Sequence, residues 1–78
     1  MLITYKRKAV MAKYKTTEDL LDKIDSQGYV KEAIPALKIM SRGNETRFHE
    51  MVGEYIEMRY KSTPEMSKEA AEKILEEI

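Results

Sequence analysis

Residues 44–61, NETRFHEMVGEYIEMRYK, decide the fold of this chain. A strand would place an apolar side chain at every second position, whereas this stretch spaces them in steps of three, one, three, one and four. The apolar positions are Phe48, Met51, Val52, Tyr55, Ile56 and Tyr60. Met58 lies outside this stripe, so hydrophobic surface covers more than half of the predicted helix. We therefore expect a central helix with neighbours on two sides, or a helix that meets a partner.

Two further helices are predicted from their end signals. Thr16 and Thr17 are good N-cap residues for a helix that ends at Gly28, a residue suited to the left-handed conformation after a last turn. Thr63 and Pro64 supply a hydroxyl cap and a first-turn proline for the last helix of the chain. These signals predict one helix on each side of the central region.

The segment 29–42 has apolar residues at helical spacing, but it contains Pro35. Proline has no amide hydrogen and disfavours helical conformation at the preceding residue, Ile34. The arrangement of lowest strain puts Pro35 in the first turn of a helix, with residues 29–34 as a turn or a short separate helix; a kinked continuous helix is the alternative. The sequence thus predicts an all-α fold, a small bundle of three main helices plus a short helix or kinked segment around Pro35.

The N-terminal residues 1–13, MLITYKRKAVMAK, form a basic arm ahead of a single helical domain at 14–78. The first residues favour strand, but a basic triplet interrupts the run and the remainder has no clear period. We expect this arm to be irregular or disordered. An upstream extension over residues 1–10 is the other interpretation, because Met11-Ala12-Lys13 resembles a natural bacterial start.

Composition excludes several classes of protein. The chain has 78 residues, enough for one domain near the lower end of self-sufficient folding. It has no cysteine, so a disulfide and a thiolate metal site are both excluded. No apolar run approaches the roughly 20 residues that cross a bilayer, and no signal-like segment opens the chain. We expect a cytoplasmic protein without a membrane segment.

Side chains with catalytic or metal-binding chemistry are few. His49 is the only histidine, which excludes a two-histidine zinc site. The acidic residues lack the spacing of an EF-hand, and the three glycines form no phosphate-binding loop. We therefore expect a protein that is not an enzyme and that uses no cofactor, no metal and no small-molecule substrate.

The content of methionine and tyrosine indicates protein binding. The chain has six methionines and five tyrosines; methionine adapts to a partner's surface, and tyrosine is enriched at interfaces. A small irregular core is the alternative use of these residues. We hypothesise a non-catalytic intracellular interaction module or regulator, of the kind that phages and mobile elements encode, which binds a larger protein or self-associates as a homodimer. The interface candidates are Met51, Tyr55, Met58 and Tyr60.

Nucleic-acid binding is the alternative function. Short turns at Gly28 and Gly43 are compatible with a helix-turn-helix variant, and the N-terminal residues could supply the strand of a ribbon-helix-helix dimer. Acidic residues along the central helix would repel phosphates, and the net charge is zero. The candidate contacts to nucleic acid are Lys6, Arg7, Lys8, Arg42, Arg47, Arg59 and Lys61.

Overall fold

Four α-helices follow one another in a computed structural model that describes residues 14–77. Helix α1 spans Thr17–Gln27, α2 spans Tyr29–Met40, α3 spans Glu45–Tyr60 and α4 spans Pro64–Glu76. No strand occurs between residues 14 and 77. The predicted all-α fold is confirmed, while the predicted arm at residues 1–13 lies outside the described residues.

Three of the four helices begin at the cap residues that the sequence indicates, while α2 begins at Tyr29, before the predicted start near Pro35. The side-chain oxygens of Thr16, Asn44 and Thr63 each accept a hydrogen bond from the amide three residues on, at 3.0–3.2 Å. Each bond satisfies an amide that has no partner inside the helix and contributes about 1 kcal/mol. Gly28 has φ +70° and donates its amide to the Ile24 carbonyl at 2.7 Å. It therefore ends α1 in the predicted left-handed conformation, and α2 follows directly.

Helix α2 runs through Pro35 without interruption. The prediction that Pro35 lies in the first turn of a helix is therefore wrong. Pro35 lies in the middle of the twelve-residue helix rather than in its first turn, and residues 29–34 belong to the same helix. Because proline has no amide hydrogen, the Lys31 carbonyl loses its α-helical donor. Lys31 and Pro35 are both exposed, so solvent can hydrate that carbonyl. The continuous helix, the second of the two predicted arrangements, is the one found.

The core forms around α3, which packs against α2 on one side and α4 on the other. Helix α1 packs against α4. The order of the helices in space is therefore α2, α3, α4 and α1, with α2 at one edge and α1 at the other. The core residues are Leu20, Ile24, Val30, Ile34, Phe48, Val52, Ile56, Tyr60, Ala70, Ala71 and Ile74. The prediction that the central helix has neighbours on two sides is confirmed.

Small residues allow α3 and α4 to lie close together. A Cβ atom on Gly53 would be 3.9 Å from the Lys68 Cα and 4.0 Å from the Ala71 Cβ. These are ordinary van der Waals distances, so the two helices meet here with little space between their backbones. The buried hydroxyl of Ser67 contacts the hydroxyl of Ser62, which ties the start of α4 to the loop before it.

The backbone measures 39 × 27 × 16 Å along its principal axes. Two helices packed about 9 Å apart, each with its Cα atoms about 2.3 Å from the axis, span roughly 14 Å, so the shortest dimension corresponds to two packed helical layers. None of the helices within residues 14–77 is long and apolar enough to cross a membrane. Helix α2 lies at the edge of the fold, because its one main neighbour is α3.

Candidate interaction surface

Helix α2 is apolar around most of its circumference. Its sequence, YVKEAIPALKIM, contains only three charged residues. Val30 and Ile34 are buried, whereas Tyr29, Ile39 and Met40 are 38%, 77% and 65% exposed. A helix that is hydrophobic all round is normally covered on all sides. Since α2 packs mainly against α3, much of its apolar surface has no neighbour within residues 14–77.

An apolar surface runs along the α2–α3 pair. On α2 the apolar residues recur in steps of four, three and four, and on α3 in steps of four and three, so each set follows one side of its helix. We call this surface the α2–α3 face. Its members are Tyr29, Ala33, Ala36, Met40, Met51, Tyr55 and Met58. None of these seven residues is charged, but the guanidinium of Arg59 lies over the Tyr29 ring at one end of the face.

Two contacts set the register of α2 against α3. The Arg59 guanidinium lies over the Tyr29 ring, 3.8 Å from its centroid, and the Lys38 ammonium lies 6.0 Å from the Phe48 centroid. The start of α2 is therefore beside the end of α3, and the two helices run antiparallel. Each stripe lies beside the buried stripe of its own helix, which contains Val30 and Ile34 on α2 and Val52 and Ile56 on α3.

The α3 part of the face contains three of the four predicted interface residues. Met58 is 78% exposed, and no other residue of the described chain covers it. Met51 and Tyr55 are half-buried, so each presents one side to the solvent. Single exposed apolar residues are ordinary in proteins, but a contiguous apolar surface marks an interaction site. Met51, Tyr55 and Met58 recur in steps of four and three, so they follow one side of α3.

Tyr60 is a correction to the predicted interface. It is 4% exposed and belongs to the core, so it is not available for contact with a partner. Tyr60 follows Ile56 by four residues and continues the buried stripe of α3. The apolar band of α3 is therefore narrower than the sequence indicated, because only Met58 stays open to solvent near the end of the helix.

The Tyr60 hydroxyl has no hydrogen-bond partner among the described residues. Burial raises the pKa of this hydroxyl above its ordinary value of 10.0, and the nearby positive charge of Arg59 opposes the rise. A buried hydroxyl without a partner loses its hydration without compensation, at a cost of roughly 1–3 kcal/mol. Tyr60 therefore combines favourable ring packing with an unfavourable polar atom.

Replacing Tyr60 with phenylalanine is expected to raise the free energy of unfolding by about 1 kcal/mol, because the ring stays and the unpaired hydroxyl goes. The raised pKa means that the folded state holds the neutral form, so wild-type stability falls as the pH rises above about 10. The free energy of unfolding of Tyr60→Phe should fall less than that of wild type as the pH rises above about 10. Urea unfolding at neutral and alkaline pH measures both effects, with Tyr55→Phe as the half-buried control. A variant less stable than wild type would show that the hydroxyl has a bonding partner.

The basic residues predicted to bind nucleic acid are not brought together. Arg42, in a left-handed turn, and Arg47, paired with Glu50 at 3.5 Å, lie at the start of α3. Arg59, stacked on a tyrosine, and Lys61 lie at its end, about 24 Å away for a helix of 16 residues. The three remaining candidates, Lys6, Arg7 and Lys8, lie outside the described residues.

His49 lies in a groove between α3 and α4. Four carboxylates line this groove as well, from Glu50, Glu54, Glu57 and Glu72, against the single ammonium of Lys68. The groove is therefore acidic and would repel a phosphate backbone. Within residues 14–77, no group of three or more metal-ligating side chains is placed to hold a metal ion.

The exposed residues of α2 were not among the predicted interface residues. Tyr29, Ile39 and Met40 all have exposed surface, yet their helical spacing alone suggested burial against a core. A usable signal was the low charge content of α2, with three charged residues in twelve. That content indicates a helix that needs cover on more than one side.

No family model, no curated protein and no solved structure matches this chain. The functional interpretation therefore depends on the residues themselves, and above all on the α2–α3 face. Three of the four exposed large hydrophobic residues, Tyr29, Met40 and Met58, belong to this face, and the fourth, Ile39, also lies on α2.

Proposed function

We propose that this chain is a small non-catalytic protein-interaction module or regulator that binds a larger protein through the α2–α3 face. The observation that carries the proposal is the open side of α2, an apolar helix with one main neighbour. Covering that side with a partner removes apolar surface from water, at about 25 cal/mol per Å². The setting we propose is the cytoplasm, and the size and composition are of the kind that phages and mobile elements encode.

The chemistry of the face defines the partner that fits it. Helix α2 has 12 residues and is therefore about 18 Å long, so the α2–α3 face suits about three turns of the apolar side of an amphipathic helix. Residues 14–78 contain ten basic and fourteen acidic residues, a net charge of −4. A helix with basic residues beside its apolar stripe therefore matches both the apolar face and the net negative charge of residues 14–78. We commit to a basic amphipathic helix of a larger protein as the occupant.

No specific observation favours the nucleic-acid alternative. The four described basic candidates are divided between the two ends of α3, and Arg47 and Arg59 already have partners. Nucleic-acid binding stays a prediction. A mobility shift with duplex DNA at low salt that weakens steeply as the salt concentration rises would support it.

Site-specific photo-cross-linking tests the proposed function. A photoreactive amino acid at Met58 is expected to capture one predominant protein in cells that contain the partner, because Met58 lies on the face. The same amino acid at Thr46 is the matched control: it is on α3 too, but in the groove against α4. Mass spectrometry identifies the captured protein and the segment that carries the cross-link.

The complex must then be rebuilt from purified components. A peptide spanning the cross-linked segment should bind the wild-type chain, and Met58→Glu should weaken binding at least tenfold because it puts a charge into an apolar contact. Thr46→Glu should bind as wild type does. Equal capture from Met58 and Thr46, or a peptide that binds Met58→Glu normally, would refute the assignment of this face.

A further inference from the structure

We propose that the end of α2 is a docking tip for the surface of a bilayer that contains anionic lipids. The tip consists of two exposed aliphatic residues, Ile39 and Met40, and two exposed basic residues, Lys38 and Arg42. The inference goes beyond the proposed function and does not depend on it, because only Met40 belongs to the α2–α3 face as well. Docking through the tip would hold the chain at a membrane surface without a membrane-spanning segment.

Two large aliphatic side chains are exposed next to each other at the end of α2. Ile39 is 77% exposed and Met40 is 65% exposed. The residues one turn earlier, Pro35 and Ala36, are exposed and uncharged too, and residues three or four positions apart are neighbours on a helix surface. The last two turns of α2 therefore present an uninterrupted apolar patch to the solvent, a feature that indicates an interaction site.

The charge around the tip is opposite in sign to the charge of the remaining helical domain. Residues 38–47 contain three basic residues and one acidic residue, a net charge of +2. The rest of residues 14–78 contains seven basic and thirteen acidic residues, a net charge of −6. Within residues 14–77, Lys38 and Arg42 take part in no ion pair, so both can contact lipid headgroups. Anionic headgroups attract such residues, while acidic residues more than about 10 Å from the surface are largely screened by salt.

The backbone at the tip forms hydrogen bonds within the chain. The last carbonyls of a helix have no partner inside the helix, and an unpaired carbonyl is costly where lipid chains replace water. The Ser41 amide donates to the Leu37 carbonyl at 3.0 Å, and its hydroxyl donates to the Lys38 carbonyl at 2.8 Å. The Arg42 amide donates to the Ile39 carbonyl at 3.1 Å. These three carbonyls are therefore already satisfied when the tip leaves water.

The position of the tip favours a bilayer over a protein partner. Ile39 and Met40 lie at the end of a helix at the edge of the fold, so they project into the solvent. A protein would need a pocket of matching shape to cover them, whereas fluid lipid chains rearrange around a projecting side chain. Aliphatic residues beside basic ones are also the composition of helices that bind at an anionic membrane surface. We commit to anionic lipid as the partner of the tip, with reversible attachment because the inserted area is small.

Sedimentation of the full chain with vesicles of equal parts phosphatidylserine and phosphatidylcholine tests the tip. Wild type is expected to bind them about tenfold better than phosphatidylcholine vesicles, and less well as salt rises. Ile39→Glu should lower binding about tenfold with unchanged helical circular dichroism, because a carboxylate then faces the anionic surface. Met58→Glu is the matched control: it adds the same charge at a residue that is 78% exposed, and it should bind as wild type does. Because both variants retain residues 1–13, equal binding by Ile39→Glu and wild type would overturn the inference.

Single-tryptophan variants locate the lipid contact, since the chain has no tryptophan of its own. The fluorescence of Ile39→Trp should move to shorter wavelength with the anionic vesicles and should be quenched by brominated lipid, because tryptophan is favoured at the membrane interface. Met58→Trp should keep its emission, because Met58 lies ten residues along α3 from Phe48, the residue beside Lys38, which is about 15 Å. No change at Ile39→Trp, or an equal change at Met58→Trp, would overturn docking through the tip.

The tip and the α2–α3 face fail in different experiments. Ile39→Glu should lose the vesicles and keep the cross-linked peptide, and Met58→Glu should do the reverse. If wild type does not bind the vesicles but Met58 captures a larger protein, the tip is wrong and the proposed function stands. If the vesicles bind through Ile39 but no protein is captured at Met58, the tip stands and the proposed function is wrong. A photoreactive amino acid at Ile39 that captures an acidic protein, with no vesicle binding by wild type, would show that the tip binds a protein and would overturn the inference.

Discussion

Replacement of Ile56 with alanine is expected to lower the free energy of unfolding by about 4 kcal/mol, a large share of the stability of a domain this small. Ile56 is fully buried in the middle of α3, the helix that contacts both α2 and α4. The substitution removes three carbon atoms and leaves a cavity that rigid neighbours cannot fill. A domain of this size has little stability to lose, because the free energy of unfolding of natural domains is only about 5–15 kcal/mol.

Met58→Ala is the matched control for this experiment. Met58 is two residues further along the same helix and is 78% exposed, so its truncation should change the free energy of unfolding by less than about 0.5 kcal/mol. Urea unfolding followed by circular dichroism measures both variants. Equal losses at the two positions would show that Met58 packs in the core and that the α2–α3 face is not open.

Helix periodicity distinguishes Ile56 from Met58, and this is why the sequence predicts most of the fold. Ile56 falls on the stripe of α3 and Met58 falls off it, so burial of the first and exposure of the second both follow from a repeat of 3.6 residues. The caps at Thr16, Asn44 and Thr63 fix where helices begin for an equally local reason. Local chemistry of this kind can be predicted without knowledge of the tertiary structure.

The surface could be predicted only in part, because exposure depends on which helices become neighbours. Tyr60 continues the stripe of α3 and is buried, but the abundance of tyrosine at interfaces suggested a surface role. Met40 and Ile39 are at the end of a helix that is apolar on nearly every side, so periodicity does not show which side faces the core. Sequence analysis identified the α3 part of the face and missed the α2 part.

Pro35 is the residue at which local preference and observed structure disagree most. Local preference puts proline at the start of a helix, yet α2 continues through it. A proline in a helix interior is about 3 kcal/mol less favourable than alanine. Pro35 is exposed, so its ring gains little from packing against the core within the described chain. The burial of Val30 and Ile34 on the same helix must therefore outweigh the cost of the proline.

Pro35→Ala is accordingly expected to raise the free energy of unfolding by about 2 kcal/mol. It restores the hydrogen bond to the Lys31 carbonyl, and the greater conformational freedom of the unfolded alanine chain cancels part of the gain. For a domain of this length the midpoint of thermal unfolding should rise by about 8–16 °C. Differential scanning calorimetry measures the shift.

Pro64→Ala is the control, because it changes the other proline of the described chain. Pro64 is at the first turn of α4, where proline fits the helix and no intrahelical amide is lost. Its replacement should leave the stability unchanged or lower it slightly, since the unfolded chain gains freedom without any new hydrogen bond. If Pro35→Ala is also neutral or destabilising, the alanine gains no stabilising hydrogen bond at residue 35, and the expected cost of the interior proline is wrong.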